Sequence, residues 1–185
     1  MLAERMNTFS GSPTSALIAK VAELRAEGKD IISLNVGEPD FGTPDYIKCG
    51  AIKAIVDNFS KYTAGNGIIE LRRLISKKLH EDNNLEYTTD EICATVGAKQ
   101  AIFNSIMALV DPGDEVLLPV PCWVSYTEMI KFAGAKPVFV DVEAETFDLD
   151  IEALEKAVTT KKKLLLFVLL IIQLELFIAM VLCVN

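Results

Sequence analysis

The sequence predicts an α/β fold. Helix-like and strand-like segments alternate along the chain, and the strand-like segments are short apolar runs closed by turn formers. No internal repeat or low-complexity linker interrupts this order, and 185 residues suffice for one domain with a core of its own.

Each element follows from its local pattern. Residues 14–27 carry helical periodicity through Leu17, Val21 and Leu24, and Gly28 ends the helix. Residues 31–36 form a short apolar strand that runs into Gly37-Glu38-Pro39-Asp40-Phe41-Gly42-Thr43-Pro44, a loop dense in turn formers. Pro44 starts a helix over 45–58. A second helix covers 68–81, with Leu71, Leu74, Ile75 and Leu79 on one face. Residues 91–96 form a strand and 98–110 a helix. Asp111-Pro112-Gly113-Asp114 turns the chain into a buried strand at 115–120. A helix at 124–132, a strand at 136–142 and a helix at 151–158 follow, the last capped by Asp150. A further strand begins at 163–167.

Composition excludes several function classes. Net charge is −8, so nothing offers nucleic acid a basic footprint. Residues 1–9 are polar and contain no apolar signal core. The four cysteines, Cys49, Cys93, Cys122 and Cys183, lack metal-ligand or redox spacing and read as reduced cytosolic thiols. The single histidine, His80, sits beside Glu81 and Asp82 and reads as a solvated surface residue. One histidine leaves no room for a multi-histidine metal site or a histidine-based triad.

Three places could carry chemistry. At Thr95-Val96-Gly97-Ala98-Lys99-Gln100 a strand gives way to a helix through small residues. Backbone N–H groups and the positive helix end then converge, which suits a phosphate. A plain strand-to-helix turn has the same pattern. At Pro119-Val120-Pro121-Cys122-Trp123-Val124-Ser125-Tyr126 the only tryptophan follows a strand's carboxyl end, where open α/β sheets gather ligands. Its indole suits a flat ring, and equally a core position. Third, Tyr62-Thr63 precedes Gly65-Asn66-Gly67 and Glu70-Leu71-Arg72. The tyrosine could offer its hydroxyl to an anion or simply pack on a helix.

These sites occur together and in order. With Val36-Gly37-Glu38-Pro39-Asp40-Phe41, Val96-Gly97-Ala98-Lys99-Gln100-Ala101 and Asp111-Pro112-Gly113-Asp114-Glu115-Val116 they make the chain resemble class I, aspartate aminotransferase-like enzymes of the fold-type I pyridoxal-phosphate (PLP) family over residues 12–167. The resemblance implies an N-terminal arm and small-domain segment over 1–43, part of the PLP-binding large domain over 44–167, and an apolar tail over 168–185. It implies a phosphate-binding turn at Gly97, Ala98 and Lys99, a ring-stacking Trp123, and a Tyr62 that reaches the phosphate of the partner subunit in a homodimer. It places Gly37 against the substrate's α-carboxylate, and Lys99 with Thr14 near the distal carboxylate of aspartate or glutamate. Cys122 departs from the family, which usually has an aromatic residue there.

The implied activity is transfer of an amino group between an amino acid and a 2-oxo acid in the cytoplasm, with pyridoxal 5′-phosphate as cofactor. In the family, the lysine that binds the cofactor and moves the α-proton, the aspartate on the ring nitrogen and the arginine on the α-carboxylate all lie beyond position 185. No catalytic residue is expected within the chain, and the 185-residue polypeptide is expected to be inactive. A lyase or synthase of the same fold shares these N-terminal motifs.

The tail has two readings. Residues 164–184 are 21 nearly all apolar positions. As a helix they would reach about 31 Å, the thickness of a bilayer core, behind Lys161-Lys162-Lys163. That describes a tail-anchored membrane protein, although Gln173 and Glu175 near the middle are costly in hydrocarbon. The other reading is a shifted frame. Ile171-Ile172-Gln173-Leu174-Glu175-Leu176-Phe177-Ile178 can be written ATA ATC CAA CTG GAG CTA TTT ATA. Read one base earlier, after an A ending the Leu170 codon, it becomes Asn-Asn-Pro-Thr-Gly-Ala-Ile-Tyr, which contains the family's Asn-Pro-x-Gly motif. The second and third bases of each shifted codon are fixed or nearly so by the printed residues. A one-base deletion upstream of Phe167, in the adenine-rich lysine codons, accounts for the tail. Resequencing the DNA from the Lys161 codon onward should restore Asn-Pro-Thr-Gly with one added base. An intact reading frame with no such motif in the neighbouring frame would refute the deletion.

Overall fold

The computed structural model describes residues 2–7, 11, 13–34, 37–146, 148–159, 162–168 and 179–183, the last two segments and Pro13 as backbone only. The chain divides into two compact units, Met1–Gly37 with Ile102–Asn185, and Glu38–Ala101.

The first unit is built on a four-stranded sheet in the order β2-β1-β3-β4. Strand β1 (Glu115–Val120) is central; β2 (Lys136–Asp141) and β3 (Lys162–Val168) lie parallel to it, and β4 (Ala179–Cys183) runs antiparallel on the far side of β3. Alternation along β1 separates two cores. Val116 and Leu118 pack with Ile102 and Ile106 of helix α4 (Gly97–Leu109) and with Tyr126, Met129 and Ile130 of helix α5 (Val124–Phe132). Leu117, from the opposite face, packs with Val140 of β2 and Leu154 of helix α6 (Ile151–Ala157). The sheet is therefore covered on both faces, as parallel strands require. Asp150 caps α6 by accepting the Ala153 N–H at 2.9 Å. Helix α1 (Pro13–Ala26) ends where Gly28 takes a φ of +80°.

The second unit holds helix α2 (Asp45–Val56), which follows Pro44, and helix α3 (Ile69–Asn83), which closes on Asn84 in the left-handed conformation. A 3-10 turn, Thr89–Glu91, leads into the approach to α4.

Several expectations are corrected. Residues 31–34 form no strand; Ile32 and Leu34 are exposed, and the Ile31 carbonyl accepts from the Arg25 side chain at 3.1 Å. Residues 35–36 lie outside the described residues. Residues 91–96 form no strand: Glu91 closes the 3-10 turn, and Ala94 donates to a turn, at the Asn66 carbonyl, rather than to a ladder. In α3 the inward stripe is Arg72, Ile75, Ser76 and Leu79, whereas Leu71 and Leu74 are exposed. The tail is not one helix from 164 to 184. Residues 162–168 and 179–183 are paired strands, Leu164 opposite Cys183 and Val168 opposite Ala179. Among the described residues no helix is long and apolar enough to cross a membrane.

Ile106 is wholly buried between α4, β1 and α5. Ile106→Ala should lower unfolding stability by about 2–5 kcal/mol, read as a shift of the urea midpoint at unchanged slope. A shift within error would mean that this packing is not what holds the unit.

Candidate functional site

Helix α4 begins with the left-handed Gly97, φ +77°, with open space where a Cβ would stand. Side-chain and backbone bonds shape this entry. The Gly97 N–H donates to the Thr95 carbonyl at 2.8 Å, the Thr95 hydroxyl to the Gly97 carbonyl at 3.0 Å, and the Val96 N–H to Gln100 Oε1 at 2.6 Å. Gly97, Ala98 and Lys99 are exposed in the first turn. The N–H groups of a helix's first turn have no acceptor in its own ladder and carry the positive end of its dipole, so the turn favours an anion.

Tyr62 lies in the same unit, on the loop after α2, with its side chain fully exposed. The turn that follows it closes by the Gly67 N–H to the Ala64 carbonyl at 2.9 Å, and it meets the approach to α4 where the Ala94 N–H reaches the Asn66 carbonyl at 3.0 Å. Gly67 has a φ of +97°, and a Cβ there would stand 2.8 Å from that of Ala94. Only glycine fits this crossing.

Trp123, Gly37 and Thr14 belong to the other unit. Trp123 is the N-cap residue of α5, just past the carboxyl end of β1, and its indole meets the Tyr126 ring edge-on at 5.4 Å. It is 39% exposed, so a core position does not account for it. Gly37 sits on an exposed loop, and Thr14 is half-buried near the start of α1.

Arg72, which local pattern left without a role, is the one buried charged residue among those described. Its Nε donates to the Gly67 carbonyl at 3.1 Å and a terminal nitrogen to the Thr89 carbonyl at 2.7 Å; the Asp90 carboxylate stands 3.8 Å away. Helical phase with Ile75 and Leu79 was the available signal. His80 is exposed and pairs with Glu86 at 2.8 Å.

Two groups beside Trp123 have shifted titrations. Burial pushes the Cys122 thiol up. Burial first, and then the Cys122 charge, raise Tyr126. Both groups hold protons in the fold that the unfolded chain releases sooner, so each contribution to stability is present below that group's ordinary range, thiol for Cys122 and phenol for Tyr126, and is lost as pH rises from there through the raised value. At about pH 8, iodoacetamide should therefore alkylate the exposed Cys49 and Cys93 well before Cys122. Equal rates at all three, followed by peptide mass spectrometry, would contradict this environment.

Comparisons with known proteins converge on one family. The model of aminotransferase class I and II matches residues 29–169. The aspartate/prephenate aminotransferase of Nitrosomonas europaea is 46% identical over 164 residues, 88% of this chain and 41% of that protein. The aspartate aminotransferase of Bacillus subtilis is 41% identical over 163 residues, 88% of this chain and 42% of its own length. The aspartate aminotransferase of Thermus thermophilus, solved with maleate, superposes with a TM-score of 0.87 at 42% identity over 90% of this chain and 44% of that one. The chain spans less than half the length of these relatives. On the strength of the family match over residues 29–169, the chain belongs to the aminotransferase class I and II family.

Proposed function

We propose that the chain supplies the phosphate-binding part of a PLP-dependent aminotransferase that moves an amino group between aspartate or glutamate and a 2-oxo acid, working as a cytoplasmic homodimer. The observation that carries this is the start of α4: a left-handed Gly97 opening an exposed helix turn at Ala98 and Lys99. The residues fit the cofactor. The turn offers backbone donors to a phosphate without a side chain in the way. Trp123 offers a partly exposed indole against a flat ring, braced edge-on by Tyr126. Tyr62, fully exposed, is available to the phosphate held by a second subunit.

Bound PLP supplies the carbonyl that receives the amino group and an electron sink for the carbon that gives it up. This chain's own residues hold and orient. Gly97, Ala98 and Lys99 form the phosphate-binding turn, Gly97 setting its geometry with its own N–H turned back on the Thr95 carbonyl; Lys99 and Thr14 set the preference for a distal carboxylate, and Gly37 lies against the α-carboxylate. In this reading residues 1–43 are the arm and small-domain segment, and 44–167 belong to the large domain. Residues 168–185 are translated out of frame, at the point where the family match ends. The lysine, aspartate and arginine of the chemistry lie outside these residues, so binding rather than turnover is the activity expected of the 185-residue chain.

The test compares pyridoxamine 5′-phosphate with pyridoxamine, neither of which reacts with surface lysines. The chain should prefer the phosphate ester, and binding should quench its one tryptophan, Trp123. Gly97→Ala places a side chain in a left-handed conformation at a cost of about 1–2 kcal/mol. It should thereby reduce the preference by roughly five- to thirtyfold. Equal binding of the two ligands by the unsubstituted chain would overturn the reading.

A further inference from the structure

Arg72 points to a function for the Glu70-Leu71-Arg72 motif that neither binding nor chemistry had claimed. A buried guanidinium is costly unless its donors are satisfied. Here the donors go to two backbone carbonyls from two different segments. Gly67 belongs to the glycine turn behind Tyr62, and Thr89 opens the 3-10 turn that leads into α4. The nearest carboxylate, Asp90, stands 3.8 Å off with its side chain almost wholly in solvent, so the ion pair is a weak reason for the burial.

We propose that Arg72 is a positioning residue that locks the 64–67 turn and the 89–97 approach into one rigid support for the phosphate-binding start of α4; this rests on the proposed function. Three bonds make the support. Arg72 grips Gly67 from one side and Thr89 from the other, and the Ala94 N–H closes the third edge on Asn66 at 3.0 Å. The Thr88–Glu91 pair holds the 3-10 turn in shape, the Thr88 N–H and hydroxyl each donating to Glu91 Oε2 at 2.8 Å. These bonds hold Glu91 ionised to lower pH than an ordinary glutamate. The close approach of Gly67 to Ala94 leaves no slack at the crossing. A planar fork with fixed donor directions suits this work, because it sets the angle between the segments as well as their distance. A lysine ammonium has three donors but no fixed fork, so it does not set that angle.

The test uses the full chain, with Arg72→Gln and Arg72→Lys, each first checked for cooperative urea unfolding. The readout is the ratio of pyridoxamine to pyridoxamine 5′-phosphate dissociation constants, with amide exchange at Ala94 followed in parallel. Arg72→Gln should cut the phosphate preference by about tenfold, leave pyridoxamine binding as it was, and speed exchange at Ala94. Arg72→Lys keeps the charge and should still lose most of the preference; it decides the matter if the glutamine variant does not unfold cooperatively. A folded Arg72→Lys with the original preference and the original Ala94 exchange would overturn the positioning role and leave the proposed function standing. No phosphate preference in the unsubstituted chain would instead remove the proposed function, and the role of Arg72 with it.

Discussion

The burial of β1 on both faces is the constraint on which the first unit depends. Val116, Leu117 and Leu118 have almost no exposure, and consecutive residues point to opposite sides. Helices α4 and α5 must cover one side and α6 the other. Each of these side chains contributes about 1.5–3 kcal/mol through burial, and none could move without uncovering the sheet. A strand held so firmly ends at a definite place, and the residues after it inherit that definition. Trp123 emerges there with one edge packed on Tyr126 and the rest partly open. Its position is thus a consequence of hydrophobic packing several residues upstream.

Much of this was legible because the signal was local. The helix over 124–132 starts and ends where its apolar period does, and Asp150 caps α6 through its own carboxylate. Strand 115–120 is a short apolar run after a Pro-Gly turn, which is what two-sided burial demands. The start of α4 was visible in Gly97 because a positive φ before a helix calls for that residue. What failed depended on distant partners. Residues 31–36 and 91–96 have strand composition, but a strand exists only when another backbone completes it. Ala94 is claimed instead by Asn66. Arg72 shares the helical phase of Ile75 and Leu79, yet a charge on a helix is ordinarily turned to water. Only the carbonyls of Gly67 and Thr89 reverse that expectation.

The tail shows the same limit from the other side. A leucine-rich run does not distinguish helix from strand by periodicity; the strand expected over 163–167 is present as β3, and it is the membrane-helix reading of 164–184 that fails. The described backbone resolves the choice at both ends. Residues 162–168 give β1 its second parallel neighbour beside β2, and 179–183 pair antiparallel with them. An open sheet edge offers a row of unpaired N–H and C=O groups to an incoming strand, which an isolated apolar helix does not need. Tertiary opportunity outweighs local propensity here, as it does at residues 31–34 in the opposite direction.

The two units hold their candidate groups by different physics. Trp123 is placed by apolar packing, which is broad, tolerant of small shifts and strongest where water is excluded. The start of α4 is placed by hydrogen bonds among exposed or partly exposed segments, which are directional and short in range. An indole facing a ring tolerates sliding, because dispersion changes slowly with lateral position. Backbone donors facing a phosphate do not, because a hydrogen bond weakens steeply once its angle is lost. A buried arginine is an expensive element in a unit with so little apolar core, and that unit also holds the start of α4, whose proposed ligand group is the more demanding of angle. The cost of burying its charge is understandable if what it secures is direction rather than stability.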